Sequence, residues 1–205
     1  MKRTCLATIC LIVISVAFSS SAADKMLSMK LGLSWPQALL STAVPSGDAE
    51  LNYGIIVDEK VGLGVAADFL WNVRSKDVPV SSGHYKTLSD QSTFMFPIMG
   101  YFMIDPVPDL VVHPVAHFSI GYNSMTFNYT QNDASGGKTP VSPYFYGLII
   151  KTGADAMYNI GKKSALFLGL EYRWADTKTT ANTDGLFDKR DMSGIGLSGG
   201  FRVIL

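Results

Sequence analysis

Beyond residue 10 the chain contains no cysteine, so the rest of it has no disulfide framework and no thiol chemistry. Charge is also scarce. Charged residues are 17% of the 205 positions, and 17 basic residues balance 17 acidic ones. A nucleic-acid binder would carry a basic excess, which argues against that class of partner. The three histidines, His84, His113 and His117, show no metal-ligand spacing, and no glycine-rich loop opens a helix to cradle phosphate. We therefore expect no metal and no cofactor. Helical periodicity is missing throughout, and after residue 23 no apolar run is long enough to be a membrane helix.

Residues 1–23 carry the features of a secretory signal peptide. Lys2 and Arg3 form a charged start, Cys5 to Phe18 an apolar stretch, and Ser21 and Ala23 offer small residues for cleavage before Asp24. Cleavage there removes both cysteines and leaves 15 basic against 17 acidic residues, a net charge of about −2. Residues 24–205 are expected to form one domain.

Alternation with a period of two residues dominates that domain. Eight runs show it. The first sets Leu27, Met29, Leu31, Leu33 and Trp35 against Ser28, Lys30, Gly32 and Ser34. The second carries Leu51, Tyr53, Ile55 and Val57, and the third runs from Val61 to Val73 with Phe69 and Trp71 on its apolar side. The fourth, around Thr93 to Met103, is apolar on both faces and contains Pro97, so its phase stays open. The fifth covers Val112 to Asn123, the sixth Tyr144 to Tyr158, the seventh Leu166 to Trp174 and the eighth Gly194 to Leu205. Each is about nine residues or longer, enough for a tilted strand to cross a bilayer.

Connections alternate in length. Long ones are Pro36–Asp48, Arg74–Ser92, Ser124–Val141 and Ala175–Asp191; short ones lie at Asp58–Lys60, Asp105–Asp109 and Asn159–Lys163. That layout predicts an all-β, eight-stranded, antiparallel up-and-down transmembrane barrel, with four long loops on one side and turns on the other. The last strand should pair with the first, because an open edge in lipid leaves backbone groups unsatisfied. The chain then stops at Leu205 where the barrel closes.

A soluble barrel also alternates, with its apolar face inward. Three features favour the membrane form. The apolar faces of the runs carry no charge, as contact with lipid demands. Glycine and serine crowd the polar face, which suits the narrow interior of eight strands. The aromatic residues Trp35, Trp71, Tyr122, Tyr144 and Trp174 sit where apolar faces meet the long loops, and Tyr158 sits at the turn end, as an interfacial girdle would.

The polar face carries Lys30, Lys151, Arg173 and Arg202 against Glu50, Asp68, Asp155 and Glu171, with His113 and His117 among them. Opposite charges in a narrow interior should pair, since an unpaired buried charge is costly. A plug of ion pairs is the simpler reading, and an ion path the alternative.

With these features the chain resembles the small bacterial outer-membrane β-barrels of the OmpA/OmpX type, loosely grouped as porin-family barrels. The last strand carries the most specific part of that likeness. Ser198, Gly200, Val203 and Leu205 occupy the places of the family's assembly signal, with Leu205 where phenylalanine is usual. The resemblance implies export to the bacterial outer membrane, a monomer, and contact with outer-membrane lipid or lipopolysaccharide and with the barrel-assembly machinery. Members of such families act as anchors, adhesins, surface proteins or small pores, so fold alone does not assign a role. The leading expectation is a structural or adhesive role through the four loops. A narrow channel is the alternative, and a lipid A-modifying enzyme comes third. For the last, His117-Phe118-Ser119 is similar to the His-x-Ser of lipid A deacylases, and Glu171 or Asp155 would supply the acid. Both residues follow the inward phase, and the segment continues Ile120-Gly121 where that family would have asparagine, so an enzyme is not expected.

Overall fold

In the computed structural model, residues 24–37, 45–58, 60–74, 78–79, 85–133, 137–179 and 189–205 are described. The expected leader, most of the Pro36–Asp48 loop and His84 lie outside them. The described residues form strands β1 (Asp24–Pro36), β2 (Ser46–Asp58), β3 (Val61–Arg74), β4 (Val78–Pro79), β5 (Tyr85–Ile104), β6 (Val112–Asp133), β7 (Lys138–Val141), β8 (Tyr144–Gly161), β9 (Ser164–Thr179), β10 (Lys189–Asp191) and β11 (Gly194–Ile204).

Eight of these strands are long, and each is antiparallel to its neighbours in the order β5-β3-β2-β1-β11-β9-β8-β6, with β6 returning to β5. The seam between first and last strands runs from Met26↔Ile204 to Pro36↔Gly194. Leu205 N–H extends it by donating to the Lys25 carbonyl at 2.8 Å. This is the closed, eight-stranded barrel that the alternating runs predict, and closure gives each of the eight long strands a partner on both sides. The short strands β4, β7 and β10 pair only at the loop end, onto β5, β6 and β9.

Several strands are longer than the alternation predicts, β5 and β6 most of all. β5 begins at Tyr85 and β6 continues to Asp133, so much of what reads as loop in Arg74–Ser92 and Ser124–Val141 is strand. The reason is a reversal of polarity. Along β6 the exposed residues are first Phe118, Ile120 and Tyr122, while His117, Ser119 and Asn123 are buried. Past Tyr122 the outward positions become Ser124, Thr126, Asn128 and Thr130, while Met125, Phe127 and Tyr129 are buried. The period of two never breaks; only the solvent outside changes. Asp90, with φ of 48°, accompanies an irregularity in register between Ser89 and Ser92 in the same region of β5. Aspartate tolerates this left-handed backbone better than most residues.

The structure also assigns the phase of the fourth run. Met95, Pro97, Met99, Tyr101 and Met103 are buried, and Phe96, Ile98 and Ile104 are exposed. Pro97 has no N–H to give, and the β3–β5 register passes from Ala67↔Ile98 to Leu70↔Met95 without a pair between. On the outer surface Phe69 stacks on Phe96, Phe94 and Trp71 at centroid distances of 4.6, 6.4 and 5.2 Å. This aromatic cluster lies beside the interrupted ladder.

The interior is therefore not only small and polar. Met26, Leu70, Met95, Met99, Met103 and Phe167 belong to one buried cluster. Room for long side chains comes from facing glycines. A Cβ on Gly153 would lie 2.7 Å from the His117 ring, one on Gly200 2.6 Å from Phe167 and one on Gly196 3.0 Å from Glu171. Glycine crowds the inner face because its neighbours there are large.

Candidate functional site

The barrel centre is a linked set of ion pairs. Lys151, on β8, brings Nζ to Glu50 Oε2 at 2.5 Å, to Glu171 Oε1 at 2.9 Å and to Asp68 Oδ2 at 3.1 Å. Arg173 Nη2 reaches Asp48 Oδ2 at 2.5 Å and Asp68 Oδ2 at 3.0 Å, and its Nη1 donates to Ser34 Oγ at 3.2 Å. One oxygen of Asp68 is thus shared by two cations. Lys30 lies 3.6 Å from Glu50 and 3.7 Å from Asp155. Asn52 donates to Glu50 Oε1 at 2.7 Å, which satisfies that carboxylate further. Strands on opposite sides of the barrel are tied together through these side chains.

The side chains of Lys151, Asp68 and Arg173 are 1%, 0% and 1% exposed, so the heart of this layer is deeply buried. At such depth, attraction between opposite charges is strong, and so is the cost of removing one partner. The network contains one acid that the alternation does not single out. Asp48 falls at the end of the expected first loop, yet it lies on β2 and pairs with Arg173. The signal was its even spacing from Glu50 on the same strand face.

All ten expected interior residues are buried. They do not form one network. Lys30, Glu50, Asp68, Lys151, Asp155, Glu171 and Arg173 are linked in the centre, and His117 joins them through Nε2, 3.2 Å from Lys30 and 3.5 Å from Asp155. His113 sits apart at the turn end. Its Nδ1 donates to the Leu110 carbonyl at 2.9 Å and its Nε2 lies 3.0 Å from Asp105 Oδ2. Arg202 makes no ion pair with a carboxylate among the described residues.

Five of the girdle residues, Trp71, Tyr122, Tyr144, Tyr158 and Trp174, are exposed on the outer surface, and Trp35 is half-buried. Tyr122 and Tyr146 stack with centroids 6.3 Å apart. In the final strand Ser198, Gly200 and Val203 are half-buried and Leu205 is exposed.

Toward the loop end aromatic rings fill the interior around one arginine. Phe127 and Tyr129 pack with centroids 5.0 Å apart, and the Arg190 guanidinium lies 3.9 Å from the centre of the Phe127 ring. Burial, with Arg74 nearby, pulls the Arg190 pKa down to about 10. Thr177 Oγ1 donates to the Arg190 carbonyl at 2.9 Å, and Met192 N–H donates to the Ala175 carbonyl at 2.8 Å. These bonds tie the base of the last loop to β9.

Solved structures with this arrangement are all-β barrels of similar size. A major outer membrane protein from Thermus thermophilus superposes with a TM-score of 0.61 at 12% identity, covering 90% of this chain and 100% of that one. The outer membrane protein OprG from Pseudomonas aeruginosa gives 0.53 at 15% identity, covering 90% and 96%. Neisserial surface protein A gives 0.52 at 16% identity, covering 90% and 98%. The fold is that of the small outer-membrane β-barrels. No protein-family model and no curated protein matches the chain in sequence. In an outer-membrane barrel the exposed band from Tyr158 up to Trp174 and Tyr122 faces lipid, and the ends of β5 and β6 project beyond it into water.

Proposed function

We propose that this chain is an integral outer-membrane protein, exported by its N-terminal leader, with a structural or adhesive role carried by its loop side rather than by transport through its interior. The buried ion-pair layer carries this reading. Lys151 and Arg173 reach across the interior with Asp68 and Glu171 shared between them, and the packed rings of Phe127 and Tyr129 lie above, which supports a filled interior. An eight-stranded barrel leaves little more room than its own side chains fill. The rigid extensions of β5 and β6 then serve as a platform that holds the loops clear of the lipid headgroups. The barrel works as a monomer and carries no enzymatic activity. In support of the latter, His117 Nε2 faces Lys30 and Asp155, and Ser119 is buried in the interior away from any lipid substrate.

Planar-bilayer recording of the refolded protein tests this. No steady conductance is expected, and neutralising Lys151 should not change the current. A stable ion current that responds to that substitution would replace this reading with a narrow channel. Binding of expressing cells to host-surface or matrix components should fall when the loops are trimmed while the barrel stays folded.

A further inference from the structure

Arg202 differs from the other interior cations. It is 5% exposed, yet no carboxylate pairs with it among the described residues. Its Nη1 donates to Met157 Sδ at 3.2 Å, and thioether sulfur is a weak acceptor. Its Nε has no hydrogen-bond partner. A buried guanidinium in this condition is costly unless something else completes it.

The side chain lines a cavity of about 910 Å³ at the turn end of the barrel. Met157 and Ala165 line it from inside, and Lys162 and Lys163 stand at its rim. Three acids also line it, Asp24, Asp105 and Asp109. Asp105 is taken by His113 at 3.0 Å, which leaves Arg202, Lys162 and Lys163 in the lining against Asp24 and Asp109, while Asp155, which feels the Arg202 charge from nearer the barrel centre, makes no direct pair with it. An arginine at the base with two lysines at the opening is an arrangement that draws in an anion and holds it by paired N–H donors.

We propose that the turn-end cavity binds a small oxyanion, a phosphate or carboxylate group, with Arg202 as its principal ligand and Lys162 and Lys163 as the charges that attract it. The guanidinium supplies N–H donors in one plane, which matches two oxygens of either group. The group comes either from a free solute or from a lipid headgroup at that face of the membrane.

Uniformly 15N-labelled protein in maltoside micelles, free of phosphate and sulfate, is titrated with inorganic phosphate and separately with acetate. Saturable shifts are expected at the amides of Met157, Ala165 and Ile204, with none at Asn123 or Ser193. Arg202→Gln should weaken binding at least tenfold and Lys162→Gln a fewfold, while the loop-side Lys189→Gln leaves it unchanged. The unboiled gel shift checks that each variant folds. Should Arg202→Gln fail to fold, the wild-type shift map and the Lys162 and Lys163 variants decide the matter. Nanodiscs of phosphatidylglycerol against phosphatidylcholine separate the sources. Shifts seen only with lipid, and lost in the Arg202 variant, assign a headgroup. The proposal is overturned if no saturable shift appears in any medium, if the shifts map to the loop end, or if folded Arg202→Gln binds as the wild type does.

Discussion

Strand β6 passes through two environments, and its two halves are built oppositely. From Val112 to Tyr122 the outside is apolar and the inside carries His113, His117 and Ser119. From Ser124 to Thr130 the outside is polar and the inside carries Met125, Phe127 and Tyr129. Ion pairs beside apolar side chains line the inside of the lower half, and aromatic rings with Arg190 against Phe127 line the inside of the upper half. The outward face of β6 turns polar past Tyr122, and the aromatic cross-strand neighbours of Ser124 (Phe96 and Tyr146) and Thr126 (Phe94 and Tyr144) place the proposed lipid boundary across this belt. Tyr122 and Tyr146 stack at that level, as amphipathic rings at an interface should.

Substitutions in each half put this contrast to the test. The largest effect is expected from Lys151→Met, which leaves Glu50, Asp68 and Glu171 facing one another without their shared cation. Removing one partner of a buried set costs about 3–5 kcal/mol. Urea unfolding in phospholipid vesicles, followed by the gel shift, measures it. A midpoint equal to the wild type would mean that the charges contribute nothing to holding the lower half.

Phe127→Ala probes the upper half, where truncating a buried phenylalanine costs about 3 kcal/mol. Amide exchange should quicken from Ser124 to Asp133 and stay slow from Val112 to Tyr122. Equal loss of protection along the whole strand would show that the two halves unfold as one unit.

The most direct comparison uses one substitution type at two heights. Ala154→Lys, on the outer face of β8 within the band, should cost about 2–4 kcal/mol, as a lysine in the bilayer interior does. Thr130→Lys, on the outer face of β6 beside Ser89 and Pro140 and above the belt, should change stability by no more than about 0.5 kcal/mol. Similar costs at both sites would remove the proposed lipid boundary. Between these lies Gly153→Ala, whose new methyl would sit 2.7 Å from the His117 ring. Overpacking of this kind costs about 1–3 kcal/mol, read from the same unfolding curves.

Much of this was legible in the residue order. Period-two alternation located eight strands because successive side chains point to opposite faces whatever the partner. The absence of charge from the apolar faces, and tryptophan at the loop rim, identified the outward side. Asp48 and the upper half of β6 were harder to read. Asp48 stands among loop-forming residues, and its role depends on Arg173, which is 125 positions away. Ser124, Asn128 and Thr130 have a composition suited to loops, and only the buried Phe127 and Tyr129 between them show why the strand continues.

The fourth run shows where local pattern stops. Residues from Thr93 to Met103 are apolar on both faces, so no amphipathic signal separates inside from outside. Neighbouring strands supply the phase: β3 offers Phe69 and Trp71 on the outside, and β6 offers His117 and Ser119 within. The residue order alone thus dictated the place of the eight long strands in the apolar band, the outward side and most of the interior charges, since these follow from side-chain direction and solvation. The choice of ion-pair partners, the absence of a directly paired carboxylate at Arg202 and the face shown by Pro97 arose from closure of the barrel. They depend on which distant residues meet, and register around a closed cylinder cannot be read from any one strand.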